Sequence, residues 1–126
     1  MNLIIFNLKG DLTLNSKPDT IEVIKRNVQA KTQTVLLDVK DIGFVDSAGL
    51  AMLIQLCKFT MEFGMRLALC SVPEQMDQLL QLTSTGSLFE IFETRAAFYE
   101  AWKKDFPAEA NLKPLSDFPT VDIEAE

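Results

Sequence analysis

The 126-residue chain reads as an α/β domain, a mostly parallel or mixed central sheet of about four or five strands backed by about four helices. Three observations predict this. Apolar runs rich in β-branched residues alternate with segments whose apolar residues recur every three or four positions. One run, Thr34–Val39, is apolar without alternation, as expected of a strand buried on both faces. The length suits one domain with a core that needs no staples.

Leu3–Leu8 is the first expected strand, punctuated by Gly10-Asp11, and Leu12–Leu14 is a candidate short second one. Pro18 fits the first turn of a helix whose inner face is Ile21, Ile24 and Val28. After the Thr34–Val39 strand, Lys40–Val45 reads as a loop and Ser47–Phe63 as a long helix ended by Gly64. Arg66–Cys70 is the next strand. Ser71 to Glu74 has the spacing of a capping box before a helix bearing Met76, Leu79, Leu80 and Thr83 on one side. Ser84–Ser87 reads as a loop and Leu88–Phe92 as a short strand. Thr94 is placed to cap a last helix with Ala97, Phe98, Ala101 and Trp102 facing inward.

Beyond Phe106 prolines recur at 107, 114 and 119 and acids outnumber lysine. The expected organisation is a domain over residues 1–105 and an acidic, proline-containing tail over 106–126 that is flexible or loosely draped.

The net charge of -6 argues against a nucleic-acid partner and against adhesion to anionic lipid. The apolar run near Leu50–Cys57, broken by Gln55, is too short to span a bilayer, so no membrane insertion is expected. No secretory pattern opens the chain, and Cys57 and Cys70 lie in apolar segments as buried free thiols would. These features predict a cytoplasmic protein. The absence of histidine excludes imidazole triads, histidine metal sites and phosphohistidine relays within the chain. No catalytic, cofactor or metal residue is expected.

Asp46-Ser47-Ala48-Gly49-Leu50 lies where the Thr34–Val39 strand and the loop after it turn into the long helix. Asp46 and Ser47 are good N-cap types and could serve only to start it. Glycine in a first helical turn costs up to about 1 kcal/mol against alanine, so Gly49 asks for another reason. The small Ala48 and Gly49 would leave the backbone open to close approach by another molecule. Helix N-terminal amides accept anions, and a phosphate on Ser47 would add about -1.5 to -2 charges beside Asp46. Such a charge is tolerable in water and costly in a docked interface, which suits a modification that releases a partner. Around the helix, Leu50, Leu53, Ile54, Cys57 and Met61 form one stripe, and Met52, Leu56, Phe59 and Phe63 another. Met52 and Leu56, on the second stripe near Ser47, are candidate partner contacts unless they pack on a neighbouring helix.

The segment VLLDVKDIGFVDSAGL, residues 35–50, resembles the central signature of STAS domains, in which an apolar strand with an acid leads through a loop to Asp-Ser-Ser/Ala-Gly-Leu. The similarity continues through GMRLAL (64–69), LLQLT (79–83) and LFEI (88–91), while KGDL (9–12) departs from the usual Gly-Glu-Leu/Ile-Asp. The resemblance implies a STAS-like domain and, in the anti-sigma factor antagonist branch, a phosphoacceptor at Ser47. It implies two partners: an anti-sigma factor that is itself a serine kinase and binds the dephosphorylated form, and a phosphatase that resets the switch. Asp46, Ser47, Ala48, Gly49, Met52 and Leu56 are the expected partner-binding set. Other branches of the family serve as scaffolds in stress signalling and in lipid or anion transport, and a constitutive adaptor using Ser47 only as a cap is the main rival. An esterase elbow fails because Val45 stands where glycine is needed and no histidine base exists. A receiver domain with Asp38 as acceptor fails because Phe6–Lys9 lacks the acid pair that holds Mg²⁺; Asp38 then reads as a strand-end residue capping nearby amides.

Overall fold

A computed structural model describes residues 2–28, 30–105 and 113–126. Among these residues five strands form one all-parallel sheet: β1 (Leu3–Leu12), β2 (Thr34–Val45), β3 (Arg66–Cys70), β4 (Glu90–Phe92) and β5 (Thr120–Glu124). Their order is β4-β3-β2-β1-β5, so the buried runs of β1 and β2 take the middle. Among the described residues four α-helices connect or cover them: α1 (Thr20–Asn27), α2 (Ser47–Glu62), α3 (Glu74–Leu82) and α4 (Arg95–Trp102).

The period-two pattern of the strands sorts side chains into two cores. Ile4, Phe6 and Leu8 of β1 join Val35, Leu37 and Val39 of β2 against α1, α2 and α3. Leu3, Ile5, Leu36, Ala68 and Cys70 point the other way, onto Phe98 and Trp102 of α4 and onto Phe118. Trp102 stacks on Phe98 and meets Phe118 edge-on, and its Nε1 donates to the buried Thr34 Oγ1 at 3.0 Å. Trp102→Phe strands that hydroxyl and leaves a void where the fused ring packed, so urea denaturation should report a loss of at least about 1–2 kcal/mol. Both cysteines are free and buried, and burial, with the nearby Asp38 charge, pushes the Cys70 thiol up to about 11.

Several boundaries differ from the sequence reading. β1 is one continuous strand to Leu12 rather than two pieces. Lys40–Val45 is not a loop: β2 continues to Val45, paired through two register irregularities with Lys9–Leu12. Pro18 lies in the turn before α1. The capping box does not form, because Ser71 adopts φ 59 and Pro73 occupies the N-cap without a side-chain bond. Thr94 does cap α4, accepting from Ala97 N at 3.0 Å, yet Ala97 and Ala101 face solvent. Thr83 is likewise exposed. Gly64, at φ +68, ends α2 in the left-handed conformation the sequence suggested.

The largest difference concerns the expected tail. Residues 106–112 lie outside the described residues. Residues 113–126 return to the domain: β5 runs along the free edge of β1, Ile5 facing Thr120 and Lys9 facing Glu124. Phe118 enters one core and Ile123 and Ala125 the other, so this stretch is held by apolar burial and by a ladder.

Candidate functional site

The parallel strands β1 and β2 both end at the edge of the sheet where α2 starts, the edge where open α/β sheets usually place their sites. Asp46 is the N-cap of α2, with its Oδ1 accepting from Gly49 N at 2.8 Å. Its Oδ2 accepts from Leu14 N at 3.2 Å, and its own N donates to Leu12 O at 3.1 Å. Asp46 thus ties the helix start to the turn after β1. These amide bonds, the one from Gly49 foremost, hold its carboxyl below the ordinary carboxylate value. The depressed value means that the cap contributes stability above the ordinary carboxylate range and loses it as pH falls through the folded-state value.

Ser47 is exposed on the first turn of α2, and Ala48 beside it is half-buried. Gly49 is different. It is buried, and a Cβ there would lie 1.9 Å from Leu12 O. The glycine lets α2 seat on its own β1 and is not an opening for another molecule. Leu56 is also corrected: it is fully buried in the core beneath α2, so it cannot meet a partner. Met52 is partly buried against the same core. Met61, on the same stripe of the helical wheel as the buried Leu50 and Leu53, is 71% exposed.

Two residues beside the site escaped the sequence reading. Leu14, 81% exposed, projects from the turn whose amide holds Asp46, and Phe44, 47% exposed, precedes Asp46 by two positions. For Leu14 the signal was an apolar residue between polar neighbours, whereas Phe44, between Gly43 and Val45, carried none. Among the described residues no group of acids or cysteines is placed to hold a metal, and no helix is long and apolar enough to cross a membrane.

The family model for the STAS domain matches residues 1–98, and the chain belongs to that family. Solved structures repeat the fold at low identity. The STAS domain of a SulP transporter from Vibrio cholerae is 16% identical over 86% of each chain, with a TM-score of 0.71. A sulfate transporter family protein from Wolinella succinogenes is 15% identical over 82% of this chain and 88% of that one, with a TM-score of 0.68. The anti-sigma factor antagonist SpoIIAA in its unphosphorylated form is 17% identical over 82% of this chain and 86% of that one, with a TM-score of 0.52. β5 lies outside the matched region.

Proposed function

We propose that the chain is an anti-sigma factor antagonist of the cytoplasm, switched by phosphorylation of Ser47. The dephosphorylated form binds an anti-sigma factor with serine kinase activity; the kinase transfers the γ-phosphoryl of ATP to Ser47 Oγ, the hydroxyl proton leaves, and the complex parts. A phosphatase restores the hydroxyl by hydrolysis. All of the chemistry belongs to the partners, and the chain itself is a regulatory surface. The observation that carries this reading is the exposed Ser47 on the first turn of α2 beside an ionised Asp46. The helix end and water tolerate a phosphate there, whereas a docked interface would hold two like charges out of water. Asp46, Ser47 and Ala48 form the centre of the contact surface, with Met52, Leu14 and Phe44 as its apolar margin.

A second reading, a constitutive STAS adaptor of a transport or signalling complex, draws support from the higher TM-scores to transporter STAS domains. The two diverge at Ser47→Asp. A pull-down from native lysate with wild-type and Ser47→Asp chains should recover an ATP-binding serine kinase on the first only. Titration of that kinase should give an affinity at least about tenfold weaker for the variant, or 1.4 kcal/mol. Equal recovery of the same partner by both folded chains sinks the switch and favours the adaptor.

A further inference from the structure

Val45, the last residue of β2, is held by a side chain from a distant helix. Gln75 Oε1 accepts from Val45 N at 2.9 Å, and Gln75 Nε2 donates to Val45 O at 2.8 Å. The need for this follows from the sheet. β3 ends at Cys70, opposite Asp38, so β2 continues to Val45 with no strand on that side. On its other side β2 meets β1, where Asp46 N already donates to Leu12 O. In a parallel pair successive residues bond to opposite sides, so the Val45 N–H and C=O point away from β1. The carboxamide of Gln75 takes the place of the missing strand for one residue, satisfying one donor and one acceptor at once. Gln75 is held in turn, because its neighbour Met76 and Leu80 on α3 are buried in the core.

We propose that Gln75 is the positioning residue for Ser47, fixing the end of β2 from α3 so that the hydroxyl two residues on stands in a set place at the start of α2. The proposal rests on the reading of Ser47 as phosphoacceptor. Asp46 is held on the β1 side by Leu12 and Leu14, and Val45 on the α3 side by Gln75. With both anchors the segment entering α2 has little freedom, and phosphoryl transfer depends on such placement of the nucleophile.

The test uses Gln75→Met, which keeps the length and bulk of the side chain without the amide, and Gln75→Glu, which keeps an acceptor for Val45 N–H and sets another against Val45 O. In the isolated chain, amide exchange at Val45 should quicken by about tenfold or more in Gln75→Met, as expected for the loss of a bond of ordinary worth. Leu36 and Leu69, in the sheet interior, should keep their rates, and Gln75→Glu should retain part of the protection. A thiol placed by Ser47→Cys gives a second reading from the pH profile of its alkylation by iodoacetamide. The helix start should depress its pKa, and Gln75→Met should move it back toward the ordinary thiol value. With ATP and the serine kinase recovered on the wild-type chain, Gln75→Met should lower kcat for Ser47 phosphorylation about tenfold and leave KM within about twofold. An unchanged Val45 exchange rate, an unchanged thiol profile or an unchanged kcat overturns the proposal. A wild-type chain that accepts no phosphate overturns the switch reading instead, and the exchange and thiol results still decide whether Gln75 positions residue 47.

Discussion

Gly49→Ala should destabilise the chain by about 3 kcal/mol, opposite in sign to what helix propensity alone gives. Within a helix, alanine is favoured over glycine by about 1 kcal/mol. At this position the added Cβ would lie 1.9 Å from Leu12 O and 2.5 Å from Leu12 C, both backbone atoms of β1. No rotamer relieves a clash with backbone, so either α2 lifts away from the sheet or the end of β1 moves. Overpacking of this kind costs about 1–3 kcal/mol where side chains can adjust, and here they cannot. Both escapes disturb the cap, because Leu12 O is also the acceptor for Asp46 N. Urea denaturation should therefore show a lower midpoint, with the amide signals of residues 46–50 displaced. A midpoint equal to or above that of the wild-type chain would mean that α2 is not seated on Leu12. Gly64→Ala is the control: nothing lies within 4 Å of its Cβ position, and only the φ of +68 opposes the change.

That prediction also marks what local sequence could and could not convey. The position of the Asp46–Leu50 motif at the start of a helix was legible, because it rests on N-cap chemistry and on the long apolar helical segment that follows it. The reason for Gly49 was not, since the atom it makes room for lies 37 positions earlier, as 49 less 12. The same holds for Lys40–Val45. Its polar residues read as a loop, whereas Ile42 and Val45 are buried and the segment is held by pairing with an irregular stretch of β1. In α2 the wheel was apolar over most of its surface, so it could not distinguish the buried Leu56 from the exposed Met61; the neighbouring strands decide that. In the expected tail, Val121, Ile123 and Ala125 do alternate, a short strand signal outweighed in the sequence by prolines and acids. It becomes a strand because β1 offers a free edge. Gln75 carries no local signal at all: a glutamine in a helix is ordinary until its carboxamide meets a strand end 30 residues earlier.

Arg95→Ala should cost about 3 kcal/mol, and the reason lies in a charge that the sequence placed but could not pair. Asp38 sits in the middle of β2, level with Cys70 on β3, and its side chain is 1% exposed. The expected role as an amide cap holds in part, since Oδ1 accepts from Lys40 N at 3.1 Å. The other oxygen receives Arg95 Nε at 2.6 Å, with Lys40 Nζ farther off at 3.7 Å. Arg95 opens α4, where the helix dipole disfavours a cation, so its placement answers to Asp38 and not to the helix. Removing one partner of a buried ion pair costs about 3–5 kcal/mol, because the remaining charge stays out of water. The Arg95 side chain is itself 30% exposed and Lys40 can approach, so the lower end of that range applies. The two single variants should then differ. In Asp38→Ala the guanidinium can turn to solvent, and the loss should be about half as large. In Arg95→Ala the carboxylate is held inside the sheet without its nearest cation. Replacing both residues by leucine should recover much of the loss, since an apolar pair of similar bulk meets no desolvation cost. Denaturation midpoints in the order wild type, Asp38→Ala, Arg95→Ala would fit an inward-facing charge neutralised from α4. The reverse order of the two variants would mean that Arg95 serves a surface role and that Lys40 is the partner of Asp38.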